Sequence, residues 1–167
     1  MTRESLIESA RQLIQPSKTV RDEYSLKREN LATEISRIMG ERPDVGYMVG
    51  GNIAMMQDNH RNHARFMESL FFAFDPTVLV DTVLWVFRAY RSHGFQLTYW
   101  PAQLDTWVEI LRRELSSEAL TEVYPFYNWM IVNQPAFTLL SDGFVLTDTT
   151  QTEHLSLIHI SEPTRPY

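Results

Sequence analysis

Between Asn52 and Phe74, side chains suited to a buried face recur at Met56, His60, His63, Met67, Leu70 and Phe74, in steps of 4, 3, 4, 3 and 4. That repeat matches the turn of an α-helix and cannot be read as the two-residue alternation of a strand. It predicts a long helix with one buried stripe, and places two imidazoles on that stripe. A chain built around such an element must surround it with other helices.

The rest of the sequence supplies them. Leu6, Ile7, Ala10, Leu13 and Ile14 form an apolar stripe that Pro16 ends. Thr19 and Asp22 read as a capping box, with Asp in place of the usual Glu or Gln, starting a helix that carries Tyr24, Leu31, Ile35, Ile38 and Met39 and stops at Gly40. A glycine-containing loop, Glu41 to Gly51, reads as a hinge. It lacks the Gly-Lys-Ser/Thr ending of a phosphate loop. Asp75-Pro76 is an N-cap followed by a first-turn proline, opening a helix that runs to His93 before Gly94. Two further helices are predicted over Tyr99–Leu115 and Ser117–Leu140, the second bent at Pro125 and Pro135. The expectation is an all-α bundle of about six to seven helices, with no strand able to found a sheet.

Composition narrows the function. The 167 residues contain no cysteine, which removes disulfides, thiolate metal sites, thiol nucleophiles and thioether-linked cofactors. With 15 Lys and Arg against 21 Asp and Glu the net charge is −6, the wrong sign for a general nucleic-acid binder. No apolar run reaches the length of a membrane span, and MTRESLIESARQL lacks an apolar signal region, so a cytoplasmic protein without membrane insertion is expected. Nine Phe, seven Tyr and four Trp are enough to pack a core and still line a ligand cavity.

Several residues are candidates for binding. His60 and His63 share one helical face and could reach one ion, yet a stable metal site needs further ligands. Two buried imidazoles must each find hydrogen-bond partners, and a polar ligand in a cavity would supply them. His93 stands just before Gly94 as a helix-capping histidine or an axial ligand to a porphyrin iron, and Tyr90 is a second possible axial group. Arg61 and Arg65, with Arg88 and Arg91 on the next helix, could pair with propionates of a flat apolar anion such as a tetrapyrrole. There is no G-x-S-x-G, no H-E-x-x-H and no acid/base carboxylate pair, so no catalytic residue is expected.

The order of helices resembles a globin: a long histidine-bearing helix, a short turn, a helix ending Tyr-x-x-x-Gly, then two long helices, the last containing VYPFYNW. Within it, His63–Gly94 resembles the chromophore-bearing region of phycobiliproteins. That family's Cys-x-Arg-Asp-x-Glu, Gly-Asp-x-x-x-Leu and Tyr-x-x-Leu-Gly correspond here to His63-Ala-Arg65-Phe66-Met-Glu68, Phe74-Asp75-Pro-Thr-Val-Leu79 and Tyr90-Arg-Ser-His93-Gly94. His63 replaces the bilin-bearing cysteine and Phe66 the aspartate that pairs with pyrrole nitrogens. The resemblance therefore implies a bilin bound without a covalent bond, as in the bacterial phycobiliprotein-related globins encoded beside bilin-biosynthesis genes. Arg65 matches the family arginine that contacts a propionate, and Tyr90 falls at the globin proximal position.

Three readings follow. The first is a non-covalent linear-bilin carrier, sensor or accessory of bilin metabolism. In it His60 and His63 bond the pyrroles or lactams, Arg61 and Arg65 the propionates, and Tyr90, Trp100 and Tyr127 close the cavity. The second is a haem sensor with His93 or Tyr90 on the iron. The third is a pigment-free module with no cofactor, working by homodimerisation or docking to a partner such as a bilin-metabolism protein. The globin-like domain is expected over 1–143, with an extension over 144–155. The final SLIHISEPTRPY, 156–167, resembles translated sequencing-adapter DNA at the ends of unrelated metagenomic reading frames and is read as a non-native tail.

Overall fold

A computed structural model describes residues 1–142; the expected extension and tail lie outside the described residues. Eight helices follow in order: α1 (Arg3–Ala10), α2 (Lys18–Gly40), α3 (Val45–Met48), α4 (Ile53–Phe72), α5 (Pro76–Arg91), α6 (Tyr99–Glu114), α7 (Ser117–Val132) and α8 (Gln134–Ser141). No strand occurs among the described residues, and no described helix is long and apolar enough to cross a membrane. The all-α expectation holds.

The helix starts follow from their caps. Asp75 Oδ1 accepts from the Thr77 amide at 2.9 Å, with Pro76 in the first turn. Ser116 Oγ accepts from the Ala119 amide at 3.2 Å. The capping box lies elsewhere than expected. Thr2 and Ser5 form it at α1, whereas α2 starts at Ser17, and Asp22 ion-pairs with Lys18 one turn back at 2.6 Å. A serine two residues upstream of Thr19 accepts the amide of Val20, so Thr19 is already helical.

Two helices are shorter than their periodicity suggests. After Ala10 the chain tightens into i→i−3 bonds from Gln12 and Leu13 and then leaves the helix ahead of Pro16, so Ile14 is 82 % exposed. The span Ser117–Leu140 divides at Asn133, because Pro135 falls in the first turn of α8 and cannot donate to a continuing ladder. Pro125 is tolerated inside α7.

α2 packs against α4, α6 and α7, α1 and α8 pack on α5, and α6 packs on α7. Arg3 on α1 holds the buried Asp81 carboxylate of α5 through two parallel bonds of 2.7 and 2.8 Å. The largest fully buried side chains, Trp107, Tyr24, Tyr90, Tyr99, Tyr127 and Phe71, come from five helices.

The loop before α4 is clipped to the loop after α5. The Gln96 amide donates to Met48 O at 2.7 Å, and Asn52 Nδ2 donates to His93 O at 2.9 Å. Gly50 sits at φ 59°, and a Cβ there would stand 2.8 Å from the backbone oxygen of Gly94. Gly51 is also left-handed, at φ 80°, but faces open space. Gly50→Ala should therefore cost about 2 kcal/mol or more, and Gly51→Ala about 1 kcal/mol. Urea denaturation of the two variants measures the difference; equal losses would contradict the close approach.

Candidate functional site

α4 carries an unusual buried face for its sequence: Asn59, His60 and Asn62 are inside with Met56, Phe66, Met67 and Leu70. Each polar group there requires a partner. His60, fully buried, lies between two helices, with Nδ1 2.8 Å from Ser36 Oγ on α2 and Nε2 3.1 Å from the Tyr99 hydroxyl on α6. Tyr99 donates its proton to Asn59 Oδ1 at 2.7 Å, and Gln103 Nε2 donates to the same oxygen at 3.1 Å. The Tyr99 oxygen then has only lone pairs for His60. Nε2 of His60 therefore carries the proton, and Nδ1 accepts from Ser36. The result is one ordered chain: Ser36, His60, Tyr99, Asn59, with Gln103 converging on Asn59.

A second chain runs beside it. His63 Nε2 lies 2.9 Å from the Tyr127 hydroxyl, which lies 3.1 Å from that of Tyr24. The His63 ring packs on Trp107 with centroids 4.7 Å apart. Burial pushes the pKa of both histidines down to about 3, reinforced at His60 by the neighbouring His63 and Arg61. Burial likewise raises the phenols of Tyr24, Tyr99 and Tyr127. All five groups are neutral near pH 7.

Both chains end at one cavity. About 60 Å³ in volume, it lies between α4, α5 and α6, with Met130 and Phe137 also lining it. Phe66, Val83, Val86, Phe87 and Leu104 supply apolar wall, and Asn59, Gln103 and His63 bring the ends of the hydrogen-bond chains. Among the described residues, no ionised side chain lines it. Two of its lining groups have no hydrogen-bond partner: the amide nitrogen of Asn62, whose residue is 5 % exposed, and the hydroxyl of Thr82, 2 % exposed. A buried polar atom left unpaired costs about 1–3 kcal/mol, and two facing one cavity mark a place where a ligand can recover that cost.

Of the residues singled out from sequence, His63, Tyr90 and Trp100 line the cavity. His60 and Tyr127 stand one hydrogen bond behind it. Arg61 and Arg65 do not join them. They are exposed and edge a groove of about 530 Å³ between α2 and α4, shared with Arg28 and Arg37, and Arg61 pairs with Asp58. Each falls one or two residues beyond a histidine, which turns it by roughly 100° or 200° away from the buried stripe. His93 lies past the end of α5, in the loop held by Asn52, and does not line the cavity. Asn59, Asn62, Thr82 and Gln103 were not foreseen. Their signal was in the sequence, as polar residues beside the histidine stripe and inside the apolar run of α5.

No family model matches. Neither a curated protein nor a solved structure shows significant similarity to this chain. The site must therefore be judged on its own geometry. Among the described residues no group of three His, Cys, Asp or Glu could hold a metal ion. Ligand pockets for molecules of tetrapyrrole size measure roughly 300–1,000 Å³. The cavity as it stands does not fit one, and the arginines expected on the propionates are outside it.

The depressed histidines carry a pH signature. In the unfolded chain each takes up a proton near its ordinary value of 6.5, while in the folded protein it resists until about pH 3. Stability should be insensitive to these groups above pH 6.5. It should fall between about pH 6.5 and 3, with a slope of up to about 1.4 kcal/mol per pH unit for each imidazole. Imidazole C–H resonances followed by NMR should not titrate between pH 8 and 5. A midpoint near 6.5 for either would contradict the buried placement.

Proposed function

We propose that this protein is a non-catalytic binding module, whose cavity between α4, α5 and α6 takes up a small, uncharged, largely apolar molecule carrying a hydrogen-bond-accepting oxygen. The observation that carries the reading is the pair of unpartnered donors, Asn62 Nδ2 and Thr82 Oγ1, at the wall of an otherwise apolar cavity. A carbonyl or ether oxygen accepts from both. An anion is disfavoured, because no cation lines the cavity and the nearest imidazole is neutral. At roughly 10–15 Å³ per water-sized group, the cavity has room for about four to six such groups.

A linear tetrapyrrole remains the second reading, supported by the convergence of His63, Tyr90 and Trp100 on the same cavity. It requires α5 and α6 to part until the volume grows several-fold, and it gives Arg61 and Arg65 no role. Broad visible absorption that appears on adding biliverdin, and is lost in His63→Ala, distinguishes it.

Butanone and propionate, which have equal numbers of heavy atoms, test the first reading. Millimolar butanone should raise the melting temperature and propionate should not. Thr82→Val should raise the melting temperature of the unliganded protein by about 2–4 °C, as an unsatisfied hydroxyl worth about 1 kcal/mol is removed, and should abolish the response to butanone. A destabilised Thr82→Val, or a response to butanone that survives the substitution, would contradict the assignment.

A further inference from the structure

A second hollow adjoins the cavity. A cleft of about 220 Å³ opens on the surface between α5, α6 and α8, edged by Leu97, Pro101, Pro135 and Thr138. Phe87 and Trp100 line both spaces. Their rings lie face to face, centroids 4.6 Å apart at 15°, and form the partition between inside and outside. Phe137 packs edge-on against Phe87 from the α8 side. Trp100 is the second residue of α6, next to the loop 92–98, and its ring also meets Tyr90 and Tyr99 edge-on.

The cleft has its own unpaired donor. Gln134 Nε2, in the first residue of α8, is buried without a hydrogen-bond partner. Residues with an unpaired donor therefore line both hollows, Asn62 and Thr82 the first and Gln134 the second, and Phe87 and Trp100 are common to the two.

We infer that the Phe87–Trp100 pair is a gate, and that the ligand is an elongated neutral molecule with an oxygen at each end and a flat ring between them. Its inner oxygen binds Asn62 and Thr82, its ring takes the place of one face of the aromatic stack, and its outer oxygen accepts from Gln134. This rests on the binding reading above and extends it outward. It also explains how a cavity of 60 Å³ serves a larger molecule, since only the ligand's head must fit within it.

Raspberry ketone, a methyl ketone joined through an ethylene bridge to a phenol, is the probe, with butanone as the head alone. Calorimetric titration of the folded protein should give an affinity for raspberry ketone at least about tenfold above that for butanone, from the added ring contact and hydrogen bond. The Trp100 indole N–H resonance should shift with raspberry ketone. Gln134→Leu should reduce the ratio of the two affinities by roughly threefold to tenfold. An equal affinity for the two ligands, or a ratio that Gln134→Leu leaves unchanged, would overturn the gate and outer site while the inner cavity stands. If neither ligand binds, the inner reading fails together with this one.

Discussion

The fold is organised by the need to satisfy polar groups on the buried face of α4. His60 cannot ionise at its depth and cannot be left unpaired, so α2 must bring Ser36 and α6 must bring Tyr99 to its two nitrogens. His63, half-buried, is likewise paired with Tyr127, whose hydroxyl reaches on to Tyr24. These bonds join α4 to α2, α6 and α7. They also select one register for each helix, because a one-residue rotation would break both chains at once. Apolar packing alone tolerates many near-equivalent arrangements; an ordered set of donors and acceptors tolerates few.

Against that completeness, the exceptions carry information. Asn62 on α4 and Thr82 on α5 both line the cavity, and the amide nitrogen of the one and the hydroxyl of the other have no hydrogen-bond partner. Other unpaired buried atoms exist, such as Trp107 Nε1 and Ser25 Oγ, but these residues do not line the cavity. Valine at position 82 would preserve the shape and remove the penalty. A stability cost held at a concave, apolar, uncharged site is the pattern expected where binding, rather than folding, makes use of the polar atom. The gate and the Gln134 donor continue the same logic to the surface.

Much of this was legible beforehand, for identifiable reasons. The 4-3-4-3-4 spacing marks α4 and buries Met56, His60, Met67 and Leu70, although His63 is half-buried and Phe74 lies past the helix end, and Asp75-Pro76 marks the start of α5, because caps and periodicity are local properties. The end of α1 and the break at Asn133 were less clear, since Pro16 and Pro135 act on residues before or after them through backbone geometry rather than through the apolar pattern. The site was read only in part. His63, Tyr90 and Trp100 were recognisable as large, polarisable groups on buried faces, while Arg61 and Arg65 were assigned to the pocket by chemistry although the helical turn directs them outward. Asn62 and Thr82 escaped notice because a lone buried amide or hydroxyl looks ordinary in sequence. Only the cavity beside it makes it conspicuous.

The central claim is that a neutral oxygen-bearing molecule occupies the space between α4, α5 and α6. Intermolecular NOEs between butanone and assigned methyl groups test this most directly. The account predicts contacts to the methyls of Val83, Leu104 and Met130, which wall the cavity from three helices. Contacts confined to exposed methyls such as those of Leu26 or Leu139, at saturating ligand, would contradict it.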